Sequence, residues 1–99
     1  MITYEQARQL AQEHIKSQEA IIKKEFPSNS LVIEHSSEFE NGWIFYFNSR
    51  LFLETHNNIY RAIGLGPVIV GKKRGEVYQA GSTGNEDHWI NKFNELFEK

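Results

Sequence analysis

The chain has 99 residues, 13% of them aromatic, a net charge of −2 and no cysteine. A chain of this length forms one domain, residues 1–99, and leaves about a third of its unfolded surface in water, so its core has to be compact. Without cysteine, disulfides and thiolate chemistry are excluded, and a fold that needs no such staple fits a reducing cytoplasm. The balance of 11 basic against 13 acidic residues does not supply the dense basic surface on which nucleic-acid binding depends. The opening MITYEQARQL lacks the basic-then-apolar pattern of a signal segment, and no apolar run approaches the roughly 18 residues that mark a membrane helix. The expectation is a cytoplasmic protein with no nucleic-acid and no membrane partner. Its oligomeric state is not set by these features.

Thr3 and Gln6 have capping-box spacing. Ala7, Leu10, Ala11, His14, Gln18, Ile21 and Ile22 then recur at near-helical intervals, which predicts one long helix running to Phe26. Pro27 disfavours helix at the residue before it and ends the element. Ser28, Asn29 and Ser30 form the connection. From Leu31 to Phe39 the chain alternates, with Leu31, Ile33 and Phe39 on one side and Val32, Glu34 and Glu38 on the other. Asn41-Gly42 then predicts a hairpin into residues 43–48.

Loop length decides that hairpin's register. A two-residue Asn41-Gly42 loop pairs Glu40 with Trp43 and sets Glu34, Glu38 and Glu40 beside Trp43, Phe45 and Phe47. A three-residue loop, Glu40-Asn41-Gly42, pairs Phe39 with Trp43 and gathers Leu31, Ile33, Phe39, Trp43, Phe45 and Phe47 on one face. A slip of one residue exchanges the faces, so burial favours the second register, with Gly42 in the left-handed position of a bulge.

Residues 50–66 are less regular. Leu51, Phe52 and Leu53 are apolar, Asn57-Asn58 breaks the period, and Ile59, Ala62 and Ile63 fit one short helical turn before Gly64 and Gly66. A second hairpin joins Val68, Ile69 and Val70 to Glu76, Val77 and Tyr78 through Lys72-Lys73-Arg74-Gly75. Charges at that tip deter edge pairing, and its register is open because both faces carry apolar groups. The last helix starts from Asn85, or from Thr83 with Glu86 as a capping pair. Trp89, Ile90, Phe93, Leu96 and Phe97 form its apolar stripe.

These elements predict an α+β fold: a four-stranded antiparallel sheet built from two hairpins, with a long N-terminal helix and a shorter C-terminal helix covering one face. The other face is expected to be wet, lined by Glu34, Ser36, Glu38, Ile44, Tyr46 and Asn48. Glu34, Glu38, Tyr46 and Asn48 are the candidate partner-binding residues, because a mixed acidic and aromatic surface with an exposed tyrosine suits a protein partner. The plainer reading is an ordinary solvated sheet face.

Catalytic and metal chemistry is missing at the level of spacing. His14, His35, His56 and His88 stand far apart, none beside a second ligand. His35 falls on the predicted apolar face and reads as structural, His56 as a loop residue, and His88 as part of the first turn of the last helix. No GxSxG elbow surrounds Ser36, Ser37 or Ser49. Gly64-Leu65-Gly66-Pro67 precedes a strand rather than a helix, so it lacks the helix N-terminus of a phosphate cradle. Lys72, Lys73 and Arg74 read as solubility gatekeepers rather than an RNA contact. No catalytic residue, cofactor or metal is expected.

The run Asn41-Gly42-Trp43-Ile44-Phe45-Tyr46-Phe47-Asn48-Ser49-Arg50, followed by Phe52-Leu53-Glu54-Thr55, resembles the immunity protein 35 family. Members show a Gly-Trp-aromatic strand, a Ser-Arg pair, an aromatic-Leu-Glu-Thr segment, a Gly-x-x-Pro-hydrophobic strand and a charged Gly-Glu-Val hairpin. Gly64-Leu65-Gly66-Pro67-Val68-Ile69-Val70 and Gly75-Glu76-Val77-Tyr78 answer to the last two. Residues 1–7 and the Gly81-Ser82-Thr83 step are also similar. The chain departs from the pattern after Thr55, at His56-Asn57-Asn58, and at Leu65-Gly66. The resemblance implies a non-enzymatic bacterial protein of a polymorphic toxin system that binds and blocks a cognate protein toxin. Two other readings are a chaperone-like, general protein-interaction module and an enzyme of unrecognised type, with a concave pocket holding two or more of Glu54, His56, Tyr60 and Arg61.

Overall fold

The computed structural model describes residues 1–62 and 64–98. Helix α1, Tyr4–Lys16, opens on the capping box: Gln6 N donates to the Thr3 hydroxyl at 3.1 Å, and Thr3 N donates to Gln6 Oε1 at 2.8 Å. The helix does not run on to Phe26. Beyond Lys16 the main-chain bonds tighten, with Gln18 N on Ile15 O at 3.0 Å and Glu19 N on Lys16 O at 3.1 Å. The Ser17 hydroxyl bonds back to the His14 carbonyl, competing with the helical ladder. A separate turn of helix follows, α2, Ala20–Lys23. The bend positions Glu19, which is 7% exposed and accepts from Leu31 N at 2.8 Å. Gln12 Nε2 donates to Leu31 O at 3.4 Å, so α1 and the bend together fix the first residue of the sheet.

Strands β1 (Leu31–Phe39), β2 (Gly42–Ser49), β3 (Val68–Gly71) and β4 (Val77–Gln79) form one antiparallel sheet in the order β1-β2-β3-β4. Between β2 and β3 lie helix α3, Arg50–Thr55, and a 3-10 turn, Asn58–Tyr60. Helix α4, Glu86–Phe97, closes the fold, with the Asn85 side chain accepting from His88 N. The α+β architecture is thus the one the patterning predicts. Of the helical turn expected at Ile59, Ala62 and Ile63, Ile59 lies in the 3-10 turn, Ala62 follows it, and Ile63 lies outside the described residues.

The first hairpin differs from both registers weighed above. Phe39 pairs with Gly42 and Glu38 with Trp43, so the loop is Glu40-Asn41. Glu38 and Ser36 then share the side of Trp43 and Phe45. An irregularity between Ile33 and His35 absorbs Glu34 and resets the ladder, bringing Ile33 opposite Phe47 and Leu31 opposite Ser49. Burial is satisfied by this bulge within the strand, not by the loop. Gly42 is not among the glycines with positive φ. It is needed because a Cβ there would stand 2.4 Å from Val70 O.

The wet face is overturned as well. On one side, Ala7, Ala11 and Ile15 of α1 pack on Leu31, Trp43, Phe45, Val68 and Val70. On the other, Phe93 of α4, 0% exposed, sits on Ile44 and Ile69, flanked by Phe39, Tyr46, Tyr78, Trp89, Ile90 and Phe97. A helix therefore covers each face. Two cores explain the shifted hairpin: the observed register sends Phe39 to the second core, where it meets Phe93 edge-on at 5.9 Å. They also explain the open register of the second hairpin, where Val70 pairs with Val77 and Ile69 with Tyr78, one pair feeding each core. Leu96 falls outside the buried part of its stripe, at 53% exposed. His35 is exposed rather than buried, and stacks on Tyr46 at 4.5 Å.

Candidate partner-binding surface

Glu34 and Glu38 lie on β1, an edge strand of the sheet, and both are exposed. Glu34 occupies the ladder irregularity. Glu38 pairs with the Lys72 ammonium at 2.5 Å, and that ammonium also stands 5.4 Å from the centre of the Trp43 ring. Past Leu31, whose main-chain groups Glu19 and Gln12 occupy, β1 has a neighbouring strand on one side only.

Tyr46 and Asn48 project from the opposite side of the sheet, paired with His35 and Val32. Tyr46 is half-buried between His35 and Trp89, whose ring centre is 6.4 Å away. Burial, and then the hydrogen bond and charge of the Glu86 carboxylate, push its phenol well above the usual tyrosine range. Glu86 also accepts from the Ser37 hydroxyl at 2.9 Å, tying α4 to β1. Asn48 Oδ1 accepts from Ser49 N at 2.8 Å and from Ala62 N at 2.9 Å, and so anchors the loop that leads to β3. The four candidate residues do not meet on one open face. Glu34 and Glu38 are exposed, Glu38 in its ion pair with Lys72, whereas Tyr46 and Asn48 are engaged within the fold.

Several other polar groups also have intramolecular partners. Arg50 holds Glu54 at 3.0 Å, and His56 is the left-handed cap of α3 with φ 57°. Of Glu54, His56, Tyr60 and Arg61, the last two line a common cleft. His14 Nε2 lies 3.0 Å from Gln79 Oε1, linking α1 to β4. At the tip of the second hairpin, Lys73 meets Glu98 at 3.1 Å and Arg74 meets Glu76 at 2.6 Å, while Arg74 also donates to Phe97 O at the end of α4. This basic cluster therefore fastens the hairpin to its surroundings. Among the described residues, no group of three or more His, Asp or Glu is arranged to hold a metal ion, and no helix is long and apolar enough to cross a membrane.

Sequence reasoning missed the cleft. It has a volume of about 210 Å³ and is lined by residues of α2, the segment after it, the 3-10 turn and the approach to β3. Its walls include Ile22, Phe26, Tyr60 and Leu65, with Phe26 edge-on to Tyr60 at 4.8 Å. Asn29 lies at its base, 1% exposed. Ile21 and Ile59, which the periodic reading placed in helical stripes, are instead exposed beside the cleft.

The model of a family described as "Immunity protein 35" matches residues 5–95. An uncharacterized protein of Escherichia coli K12, YrhB, is 38% identical over 52 residues, which is 52% of this chain and 55% of that protein. The chain thus spans about half the length of this curated relative. No solved structure matches.

Proposed function

Because the chain belongs to the immunity protein 35 family, we propose that it binds a cognate bacterial protein toxin and neutralises it by non-covalent, stoichiometric inhibition in the cytoplasm of the producing cell. The observation that carries this reading is the family match over residues 5–95. The fold is consistent with it: the clustered polar groups are engaged in caps, ion pairs and loop anchors, as suits a rigid binding scaffold. The reading requires no bond-making chemistry of this chain.

The contact we assign first is the free edge of β1 with Glu34 and Glu38. Tyr46 supports that surface from behind through the His35 stack, while Asn48 holds the loop at Ala62. The test is an affinity capture from the source bacterium, followed by reconstitution with the protein retained. A single partner bound at one-to-one ratio, whose toxicity is abolished by the chain, is the expected result. Suppressed aggregation of unrelated proteins, without a stoichiometric partner, would favour the chaperone-like module. Reversing both charges, Glu34→Lys with Glu38→Lys, is expected to weaken toxin binding by about tenfold or more. It should leave thermal stability nearly unchanged, since an ion pair whose carboxylate is exposed, as that of Glu38 is, contributes about 0–1 kcal/mol. Unaltered affinity removes the β1 edge from the interface.

A further inference from the structure

The cleft between α2 and the 3-10 turn combines three features. Its rim carries Ile21 and Ile59, each 62% exposed, among the most exposed large apolar side chains of the molecule. Apolar surface of this kind, bordered by polar groups, marks contact sites. At its base, Asn29 Oδ1 accepts from Ser30 N at 2.9 Å and from Leu51 N at 3.1 Å. Those two main-chain donors fix which end of the amide is oxygen. Asn29 Nδ2 is therefore a buried donor, and it has no acceptor among the described residues. Arg61 lies on the wall, exposed, its guanidinium 5.6 Å from the centre of the Phe52 ring and without a carboxylate partner among the described residues.

Size and charge select the occupant. Cofactor-sized and drug-sized ligands take pockets of about 300–1,000 Å³, whereas about 210 Å³ suits a single side chain. A buried amide donor and an unpaired guanidinium both seek oxygen. Glu25, also on the wall, repels a carboxylate from its own side and directs it toward Arg61.

We propose that this cleft is an anchor pocket for one apolar side chain of a protein partner, carried on a segment that also bears a carboxylate. The side chain lies between Ile21, Phe26, Ile59 and Leu65. An oxygen of the segment accepts from Asn29 Nδ2, and the carboxylate meets Arg61. A buried anchor of this type supplies much of an interface's affinity, while the rim excludes water. The identity of the partner as a toxin rests on the function proposed above. The chemistry of the cleft does not.

The test uses the ¹⁵N-labelled full chain and N-acetyl-leucine, which carries an apolar side chain, an amide carbonyl and a carboxylate. N-acetyl-leucinamide and acetate are the comparison probes. Saturable shifts at the Asn29 side-chain amide and at the Ile59 and Arg61 main-chain amides are expected with N-acetyl-leucine, weaker ones with the amide, and none with acetate. Arg61→Gln should remove the preference for the carboxylate probe, and Ile59→Glu should abolish binding of both. Each replaces an exposed side chain, and an unchanged melting temperature confirms the fold. Absent or non-saturating shifts, or an unchanged preference in Arg61→Gln, overturn the proposal. Shifts at these residues that follow protein concentration alone would assign the cleft to a second copy and also overturn it. With an identified toxin, the same two variants should weaken binding by about tenfold. Full affinity there removes the cleft from the interface and leaves neutralisation intact, whereas failure to find any toxin overturns the proposed function and leaves the probe result standing.

Discussion

Single residues divide into those whose work is local and those whose work depends on distant chain. The capping box of Thr3 and Gln6 and the cap at Asn85 were legible because each acts within one turn of its own helix. Glu19 was not, since its carboxylate serves Leu31 N, across the turn that ends the helical region. Glu19→Ala leaves that buried donor unpaired and is expected to cost about 1–3 kcal/mol, measured by denaturant unfolding, while Glu19→Gln retains an acceptor and costs less. Tyr46 gives a prediction with a definite sign. Its phenol holds its proton in the fold at pH values where an unfolded tyrosine, ionising near about 10, has lost it. Above that value the unfolded state binds fewer protons than the folded state, so stability is full below it and falls as pH rises. Melting temperatures measured across that range should decline less steeply in Tyr46→Phe than in the parent chain.

Elements were legible as types and less so in register. Alternation found β1, the aromatic run found β2, and the periodic stripe found α4. The rule of greatest burial then chose the wrong hairpin loop, because it assumed one buried face. Runs such as Trp43-Ile44-Phe45 and Val68-Ile69-Val70, apolar at consecutive positions, are the signature of a strand buried on both sides, and they were open to that reading. The break after α1 was hidden for a different reason: Ser17, Gln18 and Glu19 are acceptable helix residues, and it takes the back-bond of the Ser17 hydroxyl together with the tertiary bond of Glu19 to Leu31 N to pull them out of line. If α4 is half of the fold's support, its central contact must be costly to remove. Phe93→Ala is expected to lose about 3–5 kcal/mol, and calorimetry should show a lowered transition. A near-parent melting temperature would mean that α4 rests on the sheet without stabilising it.

At the scale of the whole molecule, the family was legible because its motifs lie in the scaffold, in turns, strand aromatics and the Pro67 approach to β3. The candidate surface was legible only in part. Glu34 and Glu38 stand open as expected, but Tyr46 and Asn48 are drawn into the second core and the loop, which no pattern within β1 and β2 announces. The cleft was invisible because its walls come from segments far apart in the chain. The sheet's two margins are also unequal: among the described residues no strand lies on the outer side of β1, which runs for nine residues, whereas β4 has three. Growth of stacked copies into a fibre requires each molecule to join through both margins in turn. The three-residue margin at β4 offers too short a template for head-to-tail growth, so the brevity of that strand guards the sheet against edge-to-edge stacking.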